Sequence, residues 1–219
     1  KNFNERAQQI ILQSPNDSMF RVNMFKIANR YFNMNDLENY KLSSEQIVQY
    51  ATKAKDSISL AKAYSYLGDY YGKKFQSELA FQNYFNAERI YRKKKINAST
   101  AKTLLNKSVI QYNEKDYVGA ERSSLDALKL LKTFDNIELS YETYNILGII
   151  YFKLEEFEKS LEFHNKALKI AETGNLPTSN ETLATTLNNI GVIFQTKKEF
   201  QKSILYFEKA LQTSDFRDK

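Results

Sequence analysis

The chain has 219 residues, a formal charge of +6, 14% aromatic residues, two Pro, six Gly, one His and no Cys or Trp. So few turn residues argue against an all-β fold, which needs one every ten positions or so. The lack of Cys excludes disulfides, thiol nucleophiles and Cys-bound metals, and a single His excludes His-pair zinc motifs such as H-E-x-x-H.

The first element is a helix over residues 4–13, ahead of a break at 14–18. The chain opens on Lys1 rather than Met, and is expected to be a piece of a longer protein. From residue 21 a pattern recurs about every forty residues. Its marker is a small residue at 28, 68, 108, 148 and 191, as in Leu67-Gly68-x-x-Tyr71, Leu147-Gly148-x-x-Tyr151 and Ile190-Gly191-x-x-Phe194. Twelve residues later come Tyr40, Ala80, Ala120, Ser160 and Ser203, and nineteen later come Ile47, Ala87, Ala127, Ala167 and Ala210. Ala7 stands forty before Ile47, the phase of a second helix whose first helix is missing. The expected segments are a leading helix of an incomplete repeat at 1–20, then repeats at 21–60, 61–100, 101–140, 141–183 and 184–219. Short polar breaks at Asn35-Asp36, Lys73-Lys74, Glu114-Lys115-Asp116, Glu155-Glu156 and Lys197-Lys198-Glu199 predict helix pairs closed by tight links. Longer breaks are expected near 95–99, 133–137 and 173–181.

Small residues at these offsets, with an aromatic three after the first, resemble the tetratricopeptide repeat. Tyr64-Leu67-Gly68-Tyr71-Ala80-Tyr84-Ala87 matches that pattern throughout. Tyr144-Leu147-Gly148-Tyr151-Ser160-His164-Ala167 and Leu187-Ile190-Gly191-Phe194-Ser203-Phe207-Ala210 match with mild substitutions. The resemblance covers residues 21–214, with a longer period than the usual 34. It implies an all-α, right-handed superhelix, an α-solenoid of helix-turn-helix repeats whose first helices line a concave groove. Small residues would let helix backbones approach, and most aromatics would fill the space between helices. His164 takes the position of Tyr84 and Phe207, so it is expected to pack rather than to catalyse.

On the resemblance, the positions left free to face the groove hold Phe25, Asn29, Phe32, Tyr66, Asp69, Asn106, Tyr112, Asn145, Phe152, Asn188 and Asn189. Asn is a mediocre helix former, so its recurrence within helices asks for a reason. Its amide both donates and accepts, matching one peptide unit of an extended ligand. An equally weighted alternative has these Asn exposed or bonded to the neighbouring helix. The clamp for peptide C-terminal carboxylates is not reproduced: Lys26 and Asn29 share one repeat, but the next positions are Tyr66, Asp69 and Asn106.

No phosphate-cradling glycine loop, metal-ligand spacing or catalytic constellation is present, so no enzyme activity, cofactor or metal is expected. Residues 1–100 carry 16 Lys and Arg against 9 Asp and Glu, a net +7, while residues 101–219 carry 16 against 17. The Arg92–Lys95 run falls where a helix ends, complementing exposed carbonyls, and the lysines otherwise scatter; nucleic acid is not an expected partner. No apolar run reaches the ~18–20 residues of a membrane span. The expected role is recognition of a peptide or protein in the groove. The resemblance extends to the sensor regions of bacterial sensor histidine kinases, which implies a periplasmic sensory domain in two-component signal transduction. The alternatives are a cytoplasmic quorum-sensing-type peptide-binding regulator and a general scaffold. Uncapped ends of the array would leave apolar surface for a homodimer.

Overall fold

A computed structural model describes residues 3–14, 16–173, 175–176 and 179–214. Among these, eleven α-helices and no strands occur: α1 (Phe3–Leu12), α2 (Asp17–Asn33), α3 (Leu37–Lys53), α4 (Ser57–Lys73), α5 (Ser77–Lys93), α6 (Asn97–Asn113), α7 (Tyr117–Leu131), α8 (Ile137–Lys153), α9 (Phe157–Ala171), α10 (Ser179–Thr196) and α11 (Phe200–Ser214). Consecutive helices pair as antiparallel hairpins. The helices from α2 to α6 are each 17 residues long.

The rhythm comes from a three-residue link used repeatedly. In Met34-Asn35-Asp36 the middle residue is left-handed, with φ 57°. The Asn35 N–H donates to the Phe32 carbonyl at 3.0 Å and the Asp36 N–H to the Tyr31 carbonyl at 2.9 Å. These two bonds satisfy carbonyls that the helix end leaves unpaired. Asp36 then caps the next helix, its carboxylate accepting from the Asn39 N–H at 3.2 Å. Asp56 and Asp116 do the same for Ser59 and Gly119. The left-handed residue is never Gly: Lys55, Phe75, Lys95, Lys115, Glu155 and Lys198 hold φ of 56–64°. Each such residue costs about 1 kcal/mol or more.

This link corrects one expectation. The break near 95–99 is not longer than those inside repeats; α5 and α6 are separated only by Lys94-Lys95-Ile96, and α3 and α4 only by Ala54-Lys55-Asp56. The longer separations are Leu12 to Asp17, Leu131 to Ile137 and Ala171 to Ser179.

The chain forms two compact units, residues 1–110 and 111–219. In the first, Ala7 of α1 is buried against Ile27, Ala28 and Tyr31, as its phase suggested. A Cβ built on Gly68 would lie 2.5 Å from the Tyr84 ring, so Gly there is what allows α4 and α5 to close. Two ion pairs brace this unit, that of Lys107 buried and that of Arg21 half-buried. Arg21 donates to Asp56 at 3.0 Å, and Lys107 to Glu88 at 2.7 Å.

In the second unit the same ring-on-glycine contact recurs. Cβ atoms at Gly148 and Gly191 would sit 2.6 Å from the rings of His164 and Phe207. Ser160 Oγ donates to the Gly148 carbonyl at 2.7 Å and Ser203 Oγ to the Gly191 carbonyl at 2.9 Å. His164 is 1% exposed, and its Nδ1 has no hydrogen-bond partner among the described residues. Burial pulls its pKa down to about 4, so it is a neutral packing ring.

Candidate recognition faces on the first helices

In residues 1–110 the first helices of three successive pairs, α2, α4 and α6, meet along one face. Asn29 of α2 hydrogen-bonds to Tyr66 of α4. Asn106 Nδ2 of α6 donates to Asp69 Oδ1 of α4 at 3.3 Å. Asp69 is the hub. Tyr84 donates to its Oδ1 at 2.7 Å and Tyr40 to its Oδ2 at 3.3 Å. Burial pushes the Asp69 carboxyl above the usual range, against the bonds from Tyr84 and Tyr40 and the fields of Lys102 and Lys73. Burial first, and the Asp69 charge second, push both tyrosine hydroxyls upward as well. Tyr66 is pushed up to about 12, mainly by burial.

Lysines stand over the aromatic rings of this face. Lys62 Nζ is 4.4 Å from the centre of the Phe25 ring and 5.7 Å from that of Tyr66; Lys73 Nζ is 4.5 Å from Phe32. Partial burial pulls the Lys62 ammonium below its ordinary pKa.

The sequence-predicted groove residues divide by environment. Phe25 lies in the core rather than on the open face, packed with Met24, Ile47 and Ala63. Phe32, Tyr112 and Phe152 are half-buried and close their own hairpins, with ring centres 4.9 Å from Tyr40, 5.6 Å from Tyr117 and 5.8 Å from Phe157. Asn29 and Asn188 are exposed. In the second unit Asn189 Nδ2 donates to Asn145 Oδ1 at 3.2 Å, joining α10 to α8. Asn29, Asn106, Asn145 and Asn189 thus each bond to the neighbouring first helix, and Asn188 is the groove Asn for which no such bond is described.

Four residues of the first-unit face were absent from that set: Tyr40, Tyr84, Lys62 and Lys73. Tyr40 carried a signal, being the large residue where the other copies hold Ala or Ser. Lys62 and Lys73 also occupy repeat positions that the resemblance leaves free. Two larger clefts lie elsewhere. One, of about 920 Å³, is lined by Leu168, Leu183, Leu187 and Tyr206 among others; another, of about 700 Å³, by Ala7, Phe20, Tyr31 and Tyr50 among others. No predicted groove residue lines either.

Helix pairs with ring-on-small-residue packing and amide-rich first-helix faces define a helical-repeat scaffold. Residues 139–214 match the tetratricopeptide repeat family, and the chain as a whole shares its helix-pair fold with solved tetratricopeptide-repeat structures. The structure resembles BtubC (BKLC) from P. vanneervenii, with 19% identity over 96% of this chain and 86% of that one, and a TM-score of 0.82. It resembles the apo form of RapI, with 18% identity over 90% and 71%, and a TM-score of 0.81. It also resembles PH0952 from Pyrococcus horikoshii, a signal transduction ATPase with numerous domains and a tetratricopeptide repeat sensor. There the identity is 18% over 98% of this chain and 34% of that one, with a TM-score of 0.83. No curated protein sequence matches. The tetratricopeptide fold is suited to binding peptides and proteins, and no helix of the described residues is long and apolar enough to cross a membrane.

Proposed function

We propose that this chain is the sensory or interaction region of a bacterial signal-transduction protein, and that it captures a peptide or protein segment on the faces of its first helices. The observation that carries this reading is the row of amide, tyrosine and lysine side chains on those faces, partly exposed and held by hydrogen bonds between neighbouring helices. A peptide backbone needs donors and acceptors at fixed places, and groups already held lose less entropy on binding. The comparison with a repeat sensor in a multidomain ATPase supports a sensory role. Attachment to a periplasmic sensor kinase is the specific form proposed. A cytoplasmic peptide-binding regulator is the second reading, favoured by the likeness to RapI.

Panning a displayed peptide library against the protein tests the binding role. Enriched peptides should lose affinity for the Asn188→Ala variant while its melting temperature holds. Failure to enrich any sequence, or unchanged affinity in variants of both units, would refute the assignment of the faces. Fusing alkaline phosphatase to the natural gene product decides location, since the fusion is active only when exported. For assembly, a second copy of the chain is proposed to cover the stripe of Phe200, Ile204 and Leu211 exposed on α11. Sedimentation that shows a monomer at high concentration would dispose of that pairing.

A further inference from the structure

The two units present first-helix faces of opposite charge. In α2, α4 and α6 the only acids are Asp17, in the first turn of α2, and Asp69. The same helices carry Lys26, Lys62, Lys73 and Lys102. Of three further cations, Arg21 and Lys107 pair with Asp56 and Glu88, and Arg30 lies in the last turn of α2. In the second unit α8 and α10 carry Glu138, Glu142 and Glu181 against Lys153.

Lys62 and Lys102 occupy matching positions forty residues apart, as do Lys26, Tyr66 and Asn106, and as do Asn29 and Asp69. The bonds from Asn29 to Tyr66 and from Asn106 to Asp69 place these positions side by side on one face. Among the described residues Lys26, Lys62 and Lys73 form no ion pair; Lys62 and Lys73 rest on the rings of Phe25, Tyr66 and Phe32. A ring holds an ammonium in place without neutralising it. Asp69 is the one carboxylate at the centre of the face, and its oxygens are occupied by Tyr40, Tyr84 and Asn106.

We propose that the α2–α4–α6 face of the first unit binds an acidic, extended peptide segment, its carboxylates meeting Lys26, Lys62 and Lys73 and its backbone meeting the exposed amide of Asn29. This deepens the peptide-binding reading and rests on it. Helix axes lie about 8–10 Å apart, so three helices span about 20 Å. At about 3.3 Å per residue that is a segment of six, with carboxylates roughly three residues apart. A nucleic acid fits less well: the rings on which its bases would stack are already covered by lysine ammonium groups.

The test uses a fluorescein-labelled hexapeptide with two Glu three positions apart, its counterpart with Gln in their place, and a labelled oligo-dT. In 50 mM salt the Glu peptide should bind at least about tenfold tighter than the Gln peptide, and the gap should shrink with added salt. The double variant Lys62→Gln, Lys73→Gln should lose the preference. Lys62→Arg with Lys73→Arg should keep it, and Lys153→Gln in α8 should leave it intact, each with an unchanged thermal melt. Equal binding of the two peptides, no binding of either, or persistence of the preference in the Gln double variant would overturn the proposal. Tighter binding of oligo-dT than of the Glu peptide would overturn it in favour of nucleic acid. Library-selected neutral peptides that still bind would leave the broader peptide-binding role standing when this inference fails.

Discussion

Gly148→Ala tests the packing of the second unit most directly. The added Cβ would sit 2.6 Å from His164 Nε2, well inside ordinary contact. The ring is 1% exposed and has no open side to move toward. Overpacking of this kind costs about 1–3 kcal/mol. Against it, Ala in a helix interior is better than Gly by about 1 kcal/mol. The expected net effect is a loss of up to about 2 kcal/mol, and each kcal/mol lowers the melting temperature by roughly 2–4 °C at this chain length. A double-mutant cycle isolates the contact. With His164→Ala the space beside residue 148 is open, so Gly148→Ala should then stabilise, through helix propensity alone. Urea unfolding followed by circular dichroism measures all four proteins. If Gly148→Ala stabilises as much with His164 present as with His164→Ala, the ring-on-glycine contact does not limit the approach of α8 and α9.

His164 also makes stability depend on pH. Its folded pKa is about 4 against 6.5 for the free group, so its contribution is complete above pH 6.5 and is lost as pH falls toward 4. By pH 4.5 the loss should reach about 2–3 kcal/mol, and the urea midpoint of His164→Phe should lack this component. Phe75 is 91% exposed and left-handed at φ 56°, so Phe75→Gly should raise stability by about 0.5–1 kcal/mol in the same assay; a fall would mean its ring has a partner. Asp56→Ala removes both the cap of α4 and the acceptor for buried Arg21, and should cost about 3 kcal/mol or more. Asp36→Ala, which removes a cap with no ion pair, should cost about 1 kcal/mol; equal losses would show that the Arg21 pair is not the larger contribution.

The helical repeat was legible because its signals are local. A glycine at 148 and a ring sixteen residues on, or Ala87 nineteen after Gly68, lie within one hairpin and recur in register. The leading helix was legible for the same reason, through Ala7. The link between α5 and α6 was not. Lys94-Lys95-Ile96 contains none of the Gly, Asn or Pro that mark a turn, yet Lys95 is driven left-handed by the return of two N–H groups to the last turn of α5. The helices on either side already demand that reversal, and tertiary packing pays for the strain.

The candidate faces show the same division. The family resemblance put Asn29, Tyr66, Asp69 and Asn106 on one side of their helices. Whether they met a ligand or one another depended on hairpins brought together across 37 residues, and these side chains bond across the seam. Tyr40 and Tyr84 reach Asp69 from second helices, which no spacing rule within a first helix would reveal. The desolvation that neutralises His164 and raises the Asp69 pKa likewise exists only once neighbouring hairpins close over them. Helix identity and period are therefore written in short-range side-chain size and polarity. Charge state, hydrogen-bond partners and the contrast between a lysine-lined face and an acidic one follow from which helices stack, because burial and electrostatic fields are properties of the assembled neighbourhood.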